Sequence, residues 1–110
     1  MFNIFKKNIK NKKINLFVGL YQKDMKTKNT KIKTLKIISR EFIKNKISGF
    51  NCSNIDGFYN YKQEPALLIS FVNNYNVNKK TLDLIIKNLN KKLDQQEILL
   101  IIENCSFEFL

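Results

Sequence analysis

The chain contains no histidine, so general acid–base chemistry, which most often falls to imidazole, would fall here to carboxylates. Four of them stand near apolar segments: Asp56, Glu64, Glu97 and Glu103. Asp56 precedes Gly57 and suits turn chemistry, and Glu97 and Glu103 flank an apolar run as solubilising charges. Glu64 is different. It follows Tyr59 and Tyr61 and precedes Pro65, at the entry to a long apolar segment, where a carboxylate can accept from a backbone amide or a ligand. Gly19, Gly49 and Gly57 are too scattered for a phosphate-cradling loop. Cys52 and Cys105 have neither a C-x-x-C companion nor a histidine, so no four-ligand zinc site is expected and the thiols read as reduced. These residues assign no catalytic group, no metal and no cofactor.

The remaining chemistry is aromatic and cationic. Phe17 and Tyr21 lie in "NLFVGLY", and Phe58, Tyr59 and Tyr61 in "GFYNY". Lys23, Lys26, Lys28, Lys31 and Lys33 follow Tyr21 closely, and would be phosphate contacts around an aromatic platform. The formal net charge of +11 agrees with such a role, yet of the 20 basic residues only Arg40 is an arginine. Arginine is the residue suited to bidentate phosphate and guanine recognition. A solvated lysine surface, of the kind an AT-rich coding sequence produces, accounts for the same charge.

The elements that must position these groups follow from periodicity. A length of 110 residues suits one domain; residues 1–12 read as a basic lead and 13–110 as a single domain. No apolar run approaches the 18 or so residues of a membrane span. Ile14, Leu16, Val18 and Leu20 alternate with Asn15, Phe17, Gly19 and Tyr21, the period of a strand. That alternation puts Phe17 on the face away from the aliphatic set. Ile32, Leu35, Ile38, Phe42 and Ile43 then recur at helical spacing over 30–46, with Asn29 or Thr30 as cap and Gly49 as left-handed stop. "FNCSNI" reads as a second strand bulged at Asp56–Gly57 and resumed through "FYNY", with "KQEP" as a turn. "ALLISFVN", 66–73, is apolar on both parities, like a central strand covered on both faces. A second helix carries Leu82, Ile85, Ile86, Leu89 and Leu93 behind the cap Asn78, and 97–102 forms a last long strand before a short terminal one, "CSFEF".

Strand, helix, strand, strand, helix, strand is the ferredoxin-like α+β arrangement: a split β-α-β unit with an antiparallel sheet, two helices on one face and strands one and three central. "NLFVGL" resembles the first-strand motif of RNA-recognition domains of this topology, and the resemblance makes Phe17 a base-stacking residue; in the third strand only Phe71 answers the family's pattern. Over most of the domain the chain resembles a family of small uncharacterised bacterial and phage proteins, filed as a domain of unknown function. The shared features are Phe17 to Leu20, Gly57 with Phe58, Glu64, and "QEILLIIENCSFEF" from Gln96. The resemblance implies the fold and a phage or bacterial origin, and brings no catalytic residue.

Together these readings predict a non-enzymatic binding module in the cytoplasm, or the host cytoplasm if phage-encoded. It would act by binding a protein partner, or by forming a homodimer through the aromatic sheet face with Phe58, Tyr59, Tyr61, Phe107 and Phe109. The alternatives are an RNA- or single-stranded-DNA-binding module and a protein that captures a small nucleotide.

Overall fold

The computed structural model describes residues 8–59 and 62–110, without the side chains of Phe58, Tyr59 and Lys62. Six elements follow one another: β1 (Lys13–Gly19), α1 (Lys31–Lys44), β2 (Asn51–Tyr59), β3 (Lys62–Val72), α2 (Lys79–Lys92) and β4 (Leu99–Glu103). The sheet order is β2-β3-β1-β4 and every neighbouring pair is antiparallel. β1 and β3 are therefore central, and the architecture is the expected split β-α-β one.

The two-residue period of β1 sorts its side chains. Ile14, Leu16 and Val18 are fully buried, in one cluster with Leu67, Ile69 and Phe71 of β3 and with Ile38, Phe42, Leu82, Ile85 and Leu89 of the helices. Leu16 pairs with Ile69 across the strands, so both central strands turn aliphatic rows to the same helices. Ile9, within the stretch read as a basic lead, also reaches this core. The helical stripe departs from expectation at its edges: Ile32 and Ile43 face solvent, and α1 buries Thr34, Ile38, Glu41 and Phe42 instead. Thr30 caps α1 by accepting from the Lys33 amide, and Asn78 caps α2 by accepting from the Thr81 amide.

Several local expectations are corrected. Gly49 does not stop α1, since no glycine has positive φ; Lys46 takes the left-handed position at φ 60°. The amides of Lys46 and Ile47 close back on the carbonyls of Ile43 and Phe42, and Ile47 is buried beneath the turn. That hydrogen-bonded and apolar closure offsets the cost of a non-glycine residue. The strand has no bulge at Asp56–Gly57, because β2 and β3 pair one to one from Asn51↔Ser70 to Tyr59↔Lys62. "KQEP" is therefore strand and not turn. Pro65 is tolerated because an amide there would face β1 at Leu20, where the carbonyl already accepts from Asn29; Pro65 keeps its own carbonyl bonded to the Leu20 amide. The terminal strand expected over Cys105–Phe109 does not form, and residues 104–110 carry no regular structure. β1 begins at Lys13, opposite Glu103, and the chain before it turns at Asn11, φ 60°, so the β1–β4 ladder stops there and Cys105 meets the Asn11 carbonyl through its thiol rather than through a backbone pair.

Candidate active site at the end of the first strand

On the sheet face opposite the helices, Phe17 lies between Leu68 of β3 and Leu99 of β4, and Gly19 lies opposite Ala66. Counting back by two along β3 from Leu68 and Ala66 brings Glu64 to the same face, where it pairs with Gly57 of β2. Phe17 and Glu64 are both half-buried. Further along β1, Asn15 is buried on this face and donates to the Ile101 carbonyl and to the Glu103 carboxylate at 2.8 Å.

Beyond β1 the chain turns over the end of the sheet. Tyr21 bridges to Lys28, and the Gln22 amide donates to the Thr27 carbonyl. Asp24 holds the tip by accepting from the Thr27 hydroxyl and from the amides of Thr27 and Lys26. Those bonds, the Thr27 hydroxyl first, keep its carboxyl below the ordinary value. The loop is anchored to the turn after α2 by the Lys23 amide on the Asp94 carbonyl and by the Gln95 side-chain amide on the Tyr21 carbonyl. Asn29, buried, donates to the Leu93 carbonyl while its own side-chain oxygen accepts from Gln22.

Loop, turn and sheet end enclose a cleft of about 310 Å³. Among the described residues, Phe17, Tyr21, Met25 and Leu99 supply its aromatic and apolar walls, Glu64 and Glu97 its carboxylates, Lys23 its one ammonium, and Gln22, Gln95 and Gln96 its amides, with Gly19 as floor. Among the described residues no three His, Cys, Asp or Glu side chains gather as metal ligands.

Of the residues singled out in the sequence, the cleft brings together Phe17, Tyr21, Glu64 and Lys23. Lys26, Lys28, Lys31 and Lys33 are exposed and do not line it; Lys33 reaches Asn29 instead. Phe58 and Tyr59 belong to β2 by backbone, and Tyr61 lies outside the described residues. Phe107 and Phe109 are exposed and meet edge to face. Glu97 reads in the sequence as a solubilising charge and Gln96 only as the start of the run shared with the uncharacterised family, while Gln22 and Gln95 carry no signal. Gln95, Gln96 and Glu97 meet Phe17 through the turn after α2, where Asp94 adopts φ 51°, and Gln22 through the loop after β1.

No family model matches the chain, and no curated protein matches it in sequence. Solved structures do match in fold. A phage SAM lyase in complex with S-methyl-5′-thioadenosine has a TM-score of 0.70 at 15% identity, over 92% of this chain and 87% of that one. The phage SAM lyase in its apo state has a TM-score of 0.68 at 16% identity, over 84% and 79%. A DUF3240 family protein from Shewanella baltica has a TM-score of 0.51 at 14% identity, over 91% and 96%. At these identities the likeness shows the fold alone.

The expectation of a non-enzymatic binding module is corrected by the same likeness. An enzyme is built on this fold at nearly the full length of the chain. A chain without histidine or a phosphate-cradling loop lacks only the chemistries that need them. Among the described residues no helix is long and apolar enough to cross a membrane.

Proposed function

We propose that this chain is an enzyme that cleaves S-adenosylmethionine and releases S-methyl-5′-thioadenosine, with the Phe17–Glu64 cleft as its active site. The observation that carries this reading is a charge match. S-adenosylmethionine bears two cations, a sulfonium and an ammonium, and one carboxylate; the cleft offers two carboxylates, Glu64 and Glu97, and one ammonium, Lys23. In a chain of net charge +11, a cleft whose charged groups among the described residues sum to minus one is a local reversal of sign. Phe17 and Tyr21 supply flat surfaces for a purine, and about 310 Å³ is within the usual range for a small-ligand site. The product bound in the structurally similar lyase is a purine thioether.

The chemistry asks for no histidine. In a lyase reaction the bond between sulfur and Cγ of the methionine moiety breaks and its electron pair stays on sulfur, giving a neutral thioether. The carboxylate of the departing four-carbon piece bonds to Cγ and closes a lactone. No water enters and no proton leaves, and the net charge is +1 before and after. Because a cation and an anion annihilate, an apolar wall such as Phe17 with Leu99 favours the step relative to water. Glu64 and Glu97 hold the two cationic groups of the substrate, Lys23 orients the carboxylate, and the gain is largely one of conformation, bringing the carboxylate oxygen behind Cγ.

Calorimetric titration with S-methyl-5′-thioadenosine and S-adenosylmethionine tests the site. Both bind the wild type, and Glu64→Gln weakens the charged substrate by about tenfold or more while weakening the neutral product less. Equal loss for both ligands would remove Glu64 from the charge match, and absence of binding would remove the proposal.

A further inference from the structure

We infer that Gln95 selects the base: its side-chain oxygen accepts a hydrogen bond from the 6-amino group of the adenine, which makes the cleft specific for an aminopurine. This rests on the nucleoside reading of the cleft and adds to it the group that recognises the base. Gln95 is only 6% exposed. Its position is fixed from three sides. α2 ends at Lys92, the buried Leu93 closes the helix, and Asp94 turns through φ 51°, so that the Gln95 amide bonds to the Asn90 carbonyl and the side chain is sent across the end of β1. There its Nε2 donates to the Tyr21 carbonyl. That donation settles which end of the amide is which.

The oxygen is then the end left over. Among the described residues no protein group donates to it, and it is not one of the fully buried unpartnered atoms, which are Asn73 Oδ1 and Asn90 Oδ1, so it is an acceptor open to the cleft that a bound ligand would cover and must then satisfy. It stands 3.3 Å from where a Cβ on residue 19 would sit, and residue 19 is glycine. The missing side chain leaves an approach over β1 to that oxygen, beside the rings of Phe17 and Tyr21. A purine resting on those rings presents its edge to Gln95, and an acceptor at that edge requires a donor. Adenine has one in its 6-amino group. A purine with hydrogen at C6 leaves the oxygen unpaired, and sites built to pair a buried polar group discriminate strongly against ligands that lack its partner.

The test compares S-methyl-5′-thioadenosine with the same nucleoside carrying hydrogen in place of the 6-amino group, titrated into the wild-type chain and into Gln95→Leu, each checked for cooperative melting. The wild type prefers the amino compound by about tenfold or more, and Gln95→Leu narrows the preference to within about threefold. If Gln95→Leu does not fold, Gly19→Ala, whose methyl crowds the same oxygen, takes its place and must narrow the preference likewise. Equal affinity of the wild type for both nucleosides, or a preference that survives Gln95→Leu, overturns the role of Gln95 and leaves the nucleoside site standing. If neither nucleoside binds the wild type, the role of Gln95 and the proposed function fall together.

Discussion

Gly19 and Gln95, separated by most of the chain, meet so closely that a single methyl on the glycine would lie 3.3 Å from the glutamine oxygen. Gly19 has no positive φ, so alanine fits the backbone without strain. The pressure of the new methyl falls on the side chain and on the space in front of it. Gly19→Ala is therefore expected to keep a melting temperature within a few degrees of wild type and to weaken S-methyl-5′-thioadenosine by about tenfold, the loss of one hydrogen bond's worth of affinity. Differential scanning calorimetry with a binding titration checks both halves.

Phe17→Ala separates stacking from packing. Phe17 is half-buried beside Leu68 and Leu99 and is not enclosed by the core. Truncation should cost about 1–2 kcal/mol of stability, less than the roughly 3–5 kcal/mol of an emptied core aromatic. It should cost about 1–3 kcal/mol in nucleoside affinity if the ring carries the base. Urea unfolding and titration of the same preparation give the two numbers.

How far the sequence revealed this arrangement depends on the range of each interaction. The alternation of Ile14, Leu16, Val18 and Leu20 and the caps Thr30 and Asn78 are local signals, and the structure repeats them. The stop at Lys46 was not legible, because a closed hydrogen-bond pair and the burial of Ile47 replace the glycine signal. The strand character of "KQEP" was hidden by Pro65, whose acceptability depends on Asn29 having taken the Leu20 carbonyl. Within the cleft, Phe17, Tyr21 and Glu64 were visible as residue types, whereas Glu97 and Gln95 become site residues only through the left-handed turn at Asp94. Their meeting with β1 is a tertiary fact with no sequence spacing to announce it.

The helix layer carries its own buried charge. Glu41 of α1 is 2% exposed and accepts from Asn88 at 2.9 Å and Lys92 at 3.0 Å, both on α2. Burial pushes its carboxyl up, but the bonds from Asn88 and Lys92, with the charges of Lys92 and Lys44, outweigh that and hold it below the ordinary carboxylate value. A lowered carboxyl contributes stability above its unfolded value, and that contribution is lost as pH falls through the folded one. Glu41→Gln should cost about 1–3 kcal/mol at pH 7. The gap between variant and wild type should narrow as the pH falls below the ordinary carboxylate range. Urea midpoints of the two proteins across that range check the sign.

Asn29 ties the loop over the cleft to the end of α2. It is buried, its side-chain amide donates to the Leu93 carbonyl at 2.8 Å, and its oxygen accepts from Gln22 at 3.0 Å. Asn29→Ala leaves a buried carbonyl unpaired and should lower stability by about 1–3 kcal/mol. It also frees Gln22, which lines the cleft, so nucleoside affinity should fall along with stability. Asn29→Asp, which keeps the acceptor for Gln22 but not the donor for Leu93, should retain more affinity than alanine does.

Catalytic cleavage at the sulfonium without water is tested by incubating the purified chain with S-adenosylmethionine in ¹⁸O-labelled water and following both products by mass spectrometry at early times. The account predicts S-methyl-5′-thioadenosine and an unlabelled four-carbon lactone in equal amounts, with the rate reduced by about a hundredfold or more in Glu64→Ala if the carboxylate positions the substrate as proposed. Consumption of S-adenosylmethionine no faster than in a protein-free blank, or release of ¹⁸O-labelled homoserine with no lactone before it, would contradict the account.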